Sequence, residues 1–158
     1  MKSLVALMLA SFFSTWSFAE NRAMLKGIKE ISILVEYLDS HDEACGLNEN
    51  QIKNELEYVI GRDLEISKKD AGVCYLYFNP NLQTRETTGL CYGTMELQLR
   101  CFGRFTNLVN NNDTATHTAI LWKTGTVLSA GKSVFRDNYL GVVSDFAKEF
   151  VVDWRQNQ

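Results

Sequence analysis

Proline and histidine are nearly missing from this sequence. Pro80 is its single proline, and His41 and His117 are its two histidines. Catalytic zinc sites draw on several histidines or a helical pair of them, and two histidines 76 positions apart supply neither. No two cysteines are spaced Cys-x-x-Cys, so thioredoxin-like redox chemistry has no motif, and no Gly-x-Ser-x-Gly marks a nucleophile elbow. Lysine and arginine form no basic block and the formal net charge is −3, which makes nucleic acid and anionic lipid poor partners. No internal repeat and no linker divides the chain.

Long apolar runs are also absent beyond the N-terminus. There MKSLVALMLASFFSTWSFA has one lysine, an apolar core from Leu4 to Phe13, and Ser17 and Ala19 at the spacing signal peptidase cuts. The core is too short for a membrane span, which needs about 20 residues. A lipoprotein would need a cysteine just after the signal, and none is there. The sequence therefore predicts a signal peptide over 1–19 and a single disulfide-stabilised domain over 20–158, periplasmic or secreted. Losing Lys2 with the leader moves the formal charge from −3 to −4.

What the chain does have is a long alternating stretch, Gly89 to Phe105. Cys91, Gly93, Met95, Leu97, Leu99 and Cys101 are small or apolar, while Tyr92, Thr94, Glu96, Gln98, Arg100 and Phe102 lie between them. Period 2 predicts a strand with one buried face and one facing water. Four cysteines in an oxidising compartment predict two disulfides. Along one strand Cys91 and Cys101 would stand roughly 33 Å apart, and a disulfide needs Cα atoms within about 7 Å, so they do not pair with each other. Two arrangements remain, Cys45–Cys91 with Cys74–Cys101 and Cys45–Cys101 with Cys74–Cys91; we favour the first.

Ile28 to Leu38 alternates and reads as a strand, and Asp39 to Leu47 as a polar loop. Asn48 caps a helix whose stripe is Ile52, Leu56, Val59 and Ile60, ended by Gly61. Asp63 to Ser67 and Val73 to Phe78 read as short strands around a turn at Lys68–Gly72, with Asn79-Pro80-Asn81 closing the second. Leu82 to Thr88 reads as a loop and Thr106 to Thr114 as a polar tip. Two strands, Thr116–Lys123 and Thr126–Phe135, are joined by a turn at Thr124-Gly125, and a last helix is capped by Asp137 or Asn138. The order β-α-β-β-β-β-β-α predicts an α+β fold: a mostly antiparallel sheet of about five strands with two helices packed on one face.

Chemistry-bearing patterns are few. Ser129-Ala130-Gly131-Lys132-Ser133 ends like a P-loop, but position 126 is threonine where the loop needs glycine, and Val134-Phe135 read as strand. His41-Asp42-Glu43 reads as a solvated acidic loop and His117 as a partly buried strand residue. Asn112-Asp113-Thr114 is a glycosylation sequon. No cofactor, metal ligand set or catalytic residue is indicated. The feature with a function attached is aromatic. If Val73–Phe78 pairs antiparallel with the long strand so that Cys74 faces Cys101, Tyr75 and Tyr77 join Gln98 and Arg100 on the face away from the helices, near Tyr92 and Phe102. Tyrosine and arginine are enriched in binding hot spots.

Ala44-Cys45-Gly46-Leu47-Asn48-Glu49, with Tyr75-Leu76-Tyr77 and Leu90-Cys91, resembles a pattern in small exported bacterial proteins of unknown function. The resemblance implies a Cys45–Cys91 bridge. The expectation is a non-enzymatic exported protein that binds another envelope or secreted macromolecule, with a protein of the cell envelope as the expected partner, inhibitor- or immunity-like, through Tyr75, Tyr77, Tyr92, Arg100 and Phe102; a homodimer is a further option. The alternatives are a hydrolase with carboxylates assembled in space, and a small-ligand carrier.

Overall fold

Five strands form one mixed sheet and, counted in chain order, lie side by side as second, first, third, fourth and fifth. The computed structural model describes residues 25–67, 73–106 and 114–158, with the backbone alone at 104–106 and 114–116. The predicted leader 1–19, the turn at Lys68–Gly72 and positions 107–113 of the polar tip, Asn112 included, lie outside the described residues. The elements are β1 (Glu30–Val35), α1 (Ser40–Ala44), α2 (Glu49–Ile60), β2 (Glu65–Ile66), β3 (Cys74–Arg85), β4 (Leu90–Thr106), β5 (Thr114–Gly131) and α3 (Lys132–Arg155). The class is α+β, with three helices. The two long ladders, β3–β4 and β4–β5, are antiparallel, whereas β1 runs parallel to both β2 and β3.

Alternation in β4 positions the core. Met95, Leu97 and Leu99 are fully buried and pack with Leu76 and Phe78 of β3, Ile31 and Ile33 of β1, Ile52, Leu56 and Ile60 of α2, and Val143, Ala147 and Phe150 of α3. All three helices lie on this face. Cys45, which caps α1, is bonded to Cys91 of β4. Trp122 of β5 donates its ring N–H to Asp153 of α3 at 2.8 Å. Cys74 is bonded to Cys101 across β3 and β4.

Several local expectations give way to tertiary context. Pro80 does not end β3; it sits opposite Met95 inside the ladder. The Phe78 carbonyl accepts from Glu36 N–H on the β1 side, and Pro80, two residues on, faces the same side, where β1 has already ended. Its missing N–H therefore costs no ladder bond. The turn expected at Thr124-Gly125 is replaced by continuous strand. Gly125 is there for close approach, since a Cβ would lie 2.9 Å from Glu96 Cγ and 3.1 Å from the Met95 carbonyl.

The polar stretch after β1 contains a short helix, α1, because Asp39 and Asp42 close a capping box around its first turn. Asp42 is buried rather than solvated. The last helix starts at Lys132, straight from β5, with no side-chain cap at Gly131. Lys132 thus opens a helix, contrary to the strand reading of Val134-Phe135; position 126 still lacks the P-loop glycine. His117 is exposed on β5, not partly buried.

Candidate functional site

The face of the sheet away from the helices carries three rows set by strand register. Ser32, Tyr75, Arg100 and Ile120 lie side by side across β1, β3, β4 and β5. Leu34, Tyr77, Gln98 and Lys123 form the next row, and Asn79, Glu96 and Gly125 continue the third from the end of β1, where Glu36 follows. The Cys74–Cys101 bond joins the register pair next to the first row, on the helix-facing side of the sheet.

Side chains link these rows. The guanidinium carbon of Arg100 lies 3.8 Å from the centroid of the Tyr77 ring, and its Nε–H donates to Gln98 Oε1 at 2.8 Å. Gln98 Nε2 donates to Glu96 Oε2 at 2.8 Å. At the other end, Glu36 accepts from the Tyr77 hydroxyl and, with the Asn79 amide turned nitrogen-first, from Asn79. The ring of Tyr75 lies 5.7 Å from that of Phe102 and meets Tyr77 edge-on at 6.5 Å. Burial pushes the Tyr77 hydroxyl up to about 12, helped by the hydrogen bond and charge of Glu36 and opposed by Arg100. Ser32 Oγ, buried at the head of the first row, has no hydrogen-bond partner among the described residues.

Four of the sequence-selected residues, Tyr75, Tyr77, Arg100 and Phe102, are thus brought together. Tyr92 is not: it shares the face but lies about 26 Å along β4 from Arg100 at the rise of a strand. Sequence reasoning missed Glu36, Asn79, Leu34 and Ile120. Leu34 and Glu36 enter through the parallel β1–β3 pairing, which had no local signal, and Asn79 through the continuation of β3 past Phe78. Ile120 enters through a bulge in β5, where Leu99 opposes Trp122 while Arg100 opposes Ile120. Leu34, Phe102 and Ile120 are each about half exposed, and Val127, farther along β5, is 78% exposed.

Among the described residues, no three of His, Cys, Asp and Glu gather as a group able to hold a metal ion. All four cysteines are in disulfides, as in proteins matured under oxidising conditions. No helix among the described residues is long and apolar enough to cross a membrane.

No protein-family model and no curated protein matches the chain. A crystal structure of a minor lipoprotein from Acinetobacter baumannii is similar over 82% of this chain and 90% of that chain, at 14% identity and a TM-score of 0.33. Likeness of that size carries no argument about this chain.

Proposed function

We propose that this is an exported, non-enzymatic binding protein whose partner is another protein of the cell envelope or secreted from it, docked on the sheet face away from the helices. One observation carries the reading. The face holds a fixed tyrosine–arginine–phenylalanine cluster bordered by half-exposed Leu34 and Ile120, with no helix layer over it among the described residues. Apolar and aromatic side chains gathered on one face, around an arginine held in place, are the make-up of interface hot spots. The two disulfides suit an oxidising compartment. An inhibitor or immunity role toward a secreted hydrolase is one form of the same mechanism.

The test is affinity capture from envelope extract with the oxidised mature chain and a Tyr75→Ser/Tyr77→Ser variant. A partner held by the wild type and lost by the variant is the expected result. Equal capture by both baits, or by neither, counts against docking on this face.

A further inference from the structure

Arg100 is the fixed cation of this face, and among the described residues no carboxylate pairs with it. Its Nε–H is committed to Gln98 and its guanidinium carbon lies over the Tyr77 ring. The acids nearby are engaged elsewhere: Glu36 by Tyr77 and Asn79, and Glu96 by Gln98. The terminal N–H donors of Arg100 remain in a planar fork, the geometry that receives a carboxylate through two parallel hydrogen bonds. Because the contact with the Tyr77 ring and the Gln98 bond already hold the side chain, little further ordering is needed when an anion arrives.

Resting on the reading that this face is a docking surface, we propose that the partner's anchor is an aspartate or glutamate side chain received by Arg100, beside an apolar side chain packed on Tyr75 and Phe102. The charge pattern selects this chemistry. Glu36 and Glu96, two rows away, outnumber Lys123 of the row between and repel a phosphate dianion more than a single carboxylate. A chain-terminal carboxylate is usually captured in a concave nest of free backbone N–H groups, whereas here the backbones of β3 and β4 are paired with each other along the whole cluster.

The experiment uses four oxidised mature baits: wild type, Tyr75→Ser/Tyr77→Ser, Arg100→Gln and Arg100→Lys. Each is offered untreated envelope extract and extract whose carboxylates have been amidated with carbodiimide. Circular dichroism and thermal unfolding check that each bait is folded. The expected result is a partner held by the wild type from untreated extract only, with Arg100→Gln binding the purified partner about 30-fold more weakly. Arg100→Lys, which keeps the charge but not the fork, falls between. A partner lost by the tyrosine variant yet held equally by Arg100→Gln, or held equally from amidated extract, overturns the carboxylate anchor and leaves the docking surface standing. No partner on the wild type overturns both. Sedimentation of the wild type alone as a dimer that Arg100→Gln dissolves puts a second copy on the face, which also overturns both.

Discussion

Arg100 and Tyr77 are diagonal neighbours across β3 and β4, one row apart on the same face, and the guanidinium carbon of the first lies 3.8 Å from the ring centroid of the second. The contact ties a cation to an aromatic whose hydroxyl bonds the carboxylate of Glu36, just past the end of β1. Charge, ring and acid therefore share one fixed arrangement.

The first prediction concerns the Tyr77 hydroxyl. Its folded value is pushed up to about 12, first by burial and then by Glu36, above the ordinary value of about 10. The phenol form is favoured by folding, so this contribution to stability is whole below about pH 10 and is lost as pH rises toward 12. Ultraviolet titration of the wild type is expected to show late-ionising tyrosines, of which Tyr139, raised by burial, is another. Tyr77→Phe removes one late step while keeping the ring beneath Arg100. An unchanged titration curve in Tyr77→Phe contradicts the assignment.

Asp39 and Asp42 close one capping box yet respond oppositely to pH. The Asp39 carboxylate accepts the N–H groups of His41 and Asp42, and the Asp42 N–H bond chiefly lowers its pKa. Its contribution is present above the unfolded carboxylate range and fades as pH falls through the lowered value. Burial raises Asp42 despite the N–H groups of Asp39 and Leu82. Its contribution is present at low pH and fades as pH rises through the raised value. Denaturant unfolding from pH 3 to 7 should therefore show Asp42→Asn gaining on the wild type as pH rises, and Asp39→Asn losing ground. Parallel pH trends in the two variants would refute the opposed shifts.

Gly93 and Gly89 separate close approach from backbone conformation. Both have positive φ, +148° and +61°. A Cβ on Gly93 would collide with the Asn81 carbonyl on the adjacent strand, while one on Gly89 meets nothing. Gly89→Ala should cost about 1 kcal/mol from conformation alone. Gly93→Ala should cost more than about 3 kcal/mol, since the ladder must open to admit the methyl. Chemical denaturation of the two variants makes the comparison.

The two disulfides should differ more in where they act than in how much. With sequence separations of 46 and 27, loop closure assigns about 4 kcal/mol to Cys45–Cys91 and about 3.5 kcal/mol to Cys74–Cys101. Cys74–Cys101 duplicates a ladder that backbone bonds already hold. Cys45–Cys91 ties the end of α1 to β4; among the described residues the side-chain hydrogen bonds that also hold α1 to the sheet both go to β3, His41 to Thr84 at 2.9 Å and Leu82 N–H to Asp42 at 3.3 Å. Hydrogen exchange should therefore quicken across α1 in Cys45→Ser/Cys91→Ser, and stay near wild type there in Cys74→Ser/Cys101→Ser.

What could be read along the chain was what neighbours in sequence decide. The alternation of Cys91 to Phe102 assigned each side chain of β4 to a face, and Asn48 with Ile52, Leu56 and Ile60 marked a helix with its buried stripe. These are local because a strand repeats every two residues, a helix turns every 3.6, and a cap reaches only to the first turn. Tertiary structure decided the rest. Whether Pro80 breaks a strand depends on whether another strand needs its N–H, and β1 stops short of it. Gly125 looked like a turn because its sequence neighbours do not reveal Glu96 across the ladder. The face itself joins Tyr77 of β3 and Gln98 and Arg100 of β4 with Glu36, just past the end of β1. Only pairing register sets those neighbours, because a slip of a single residue would turn one strand's whole set to the opposite face.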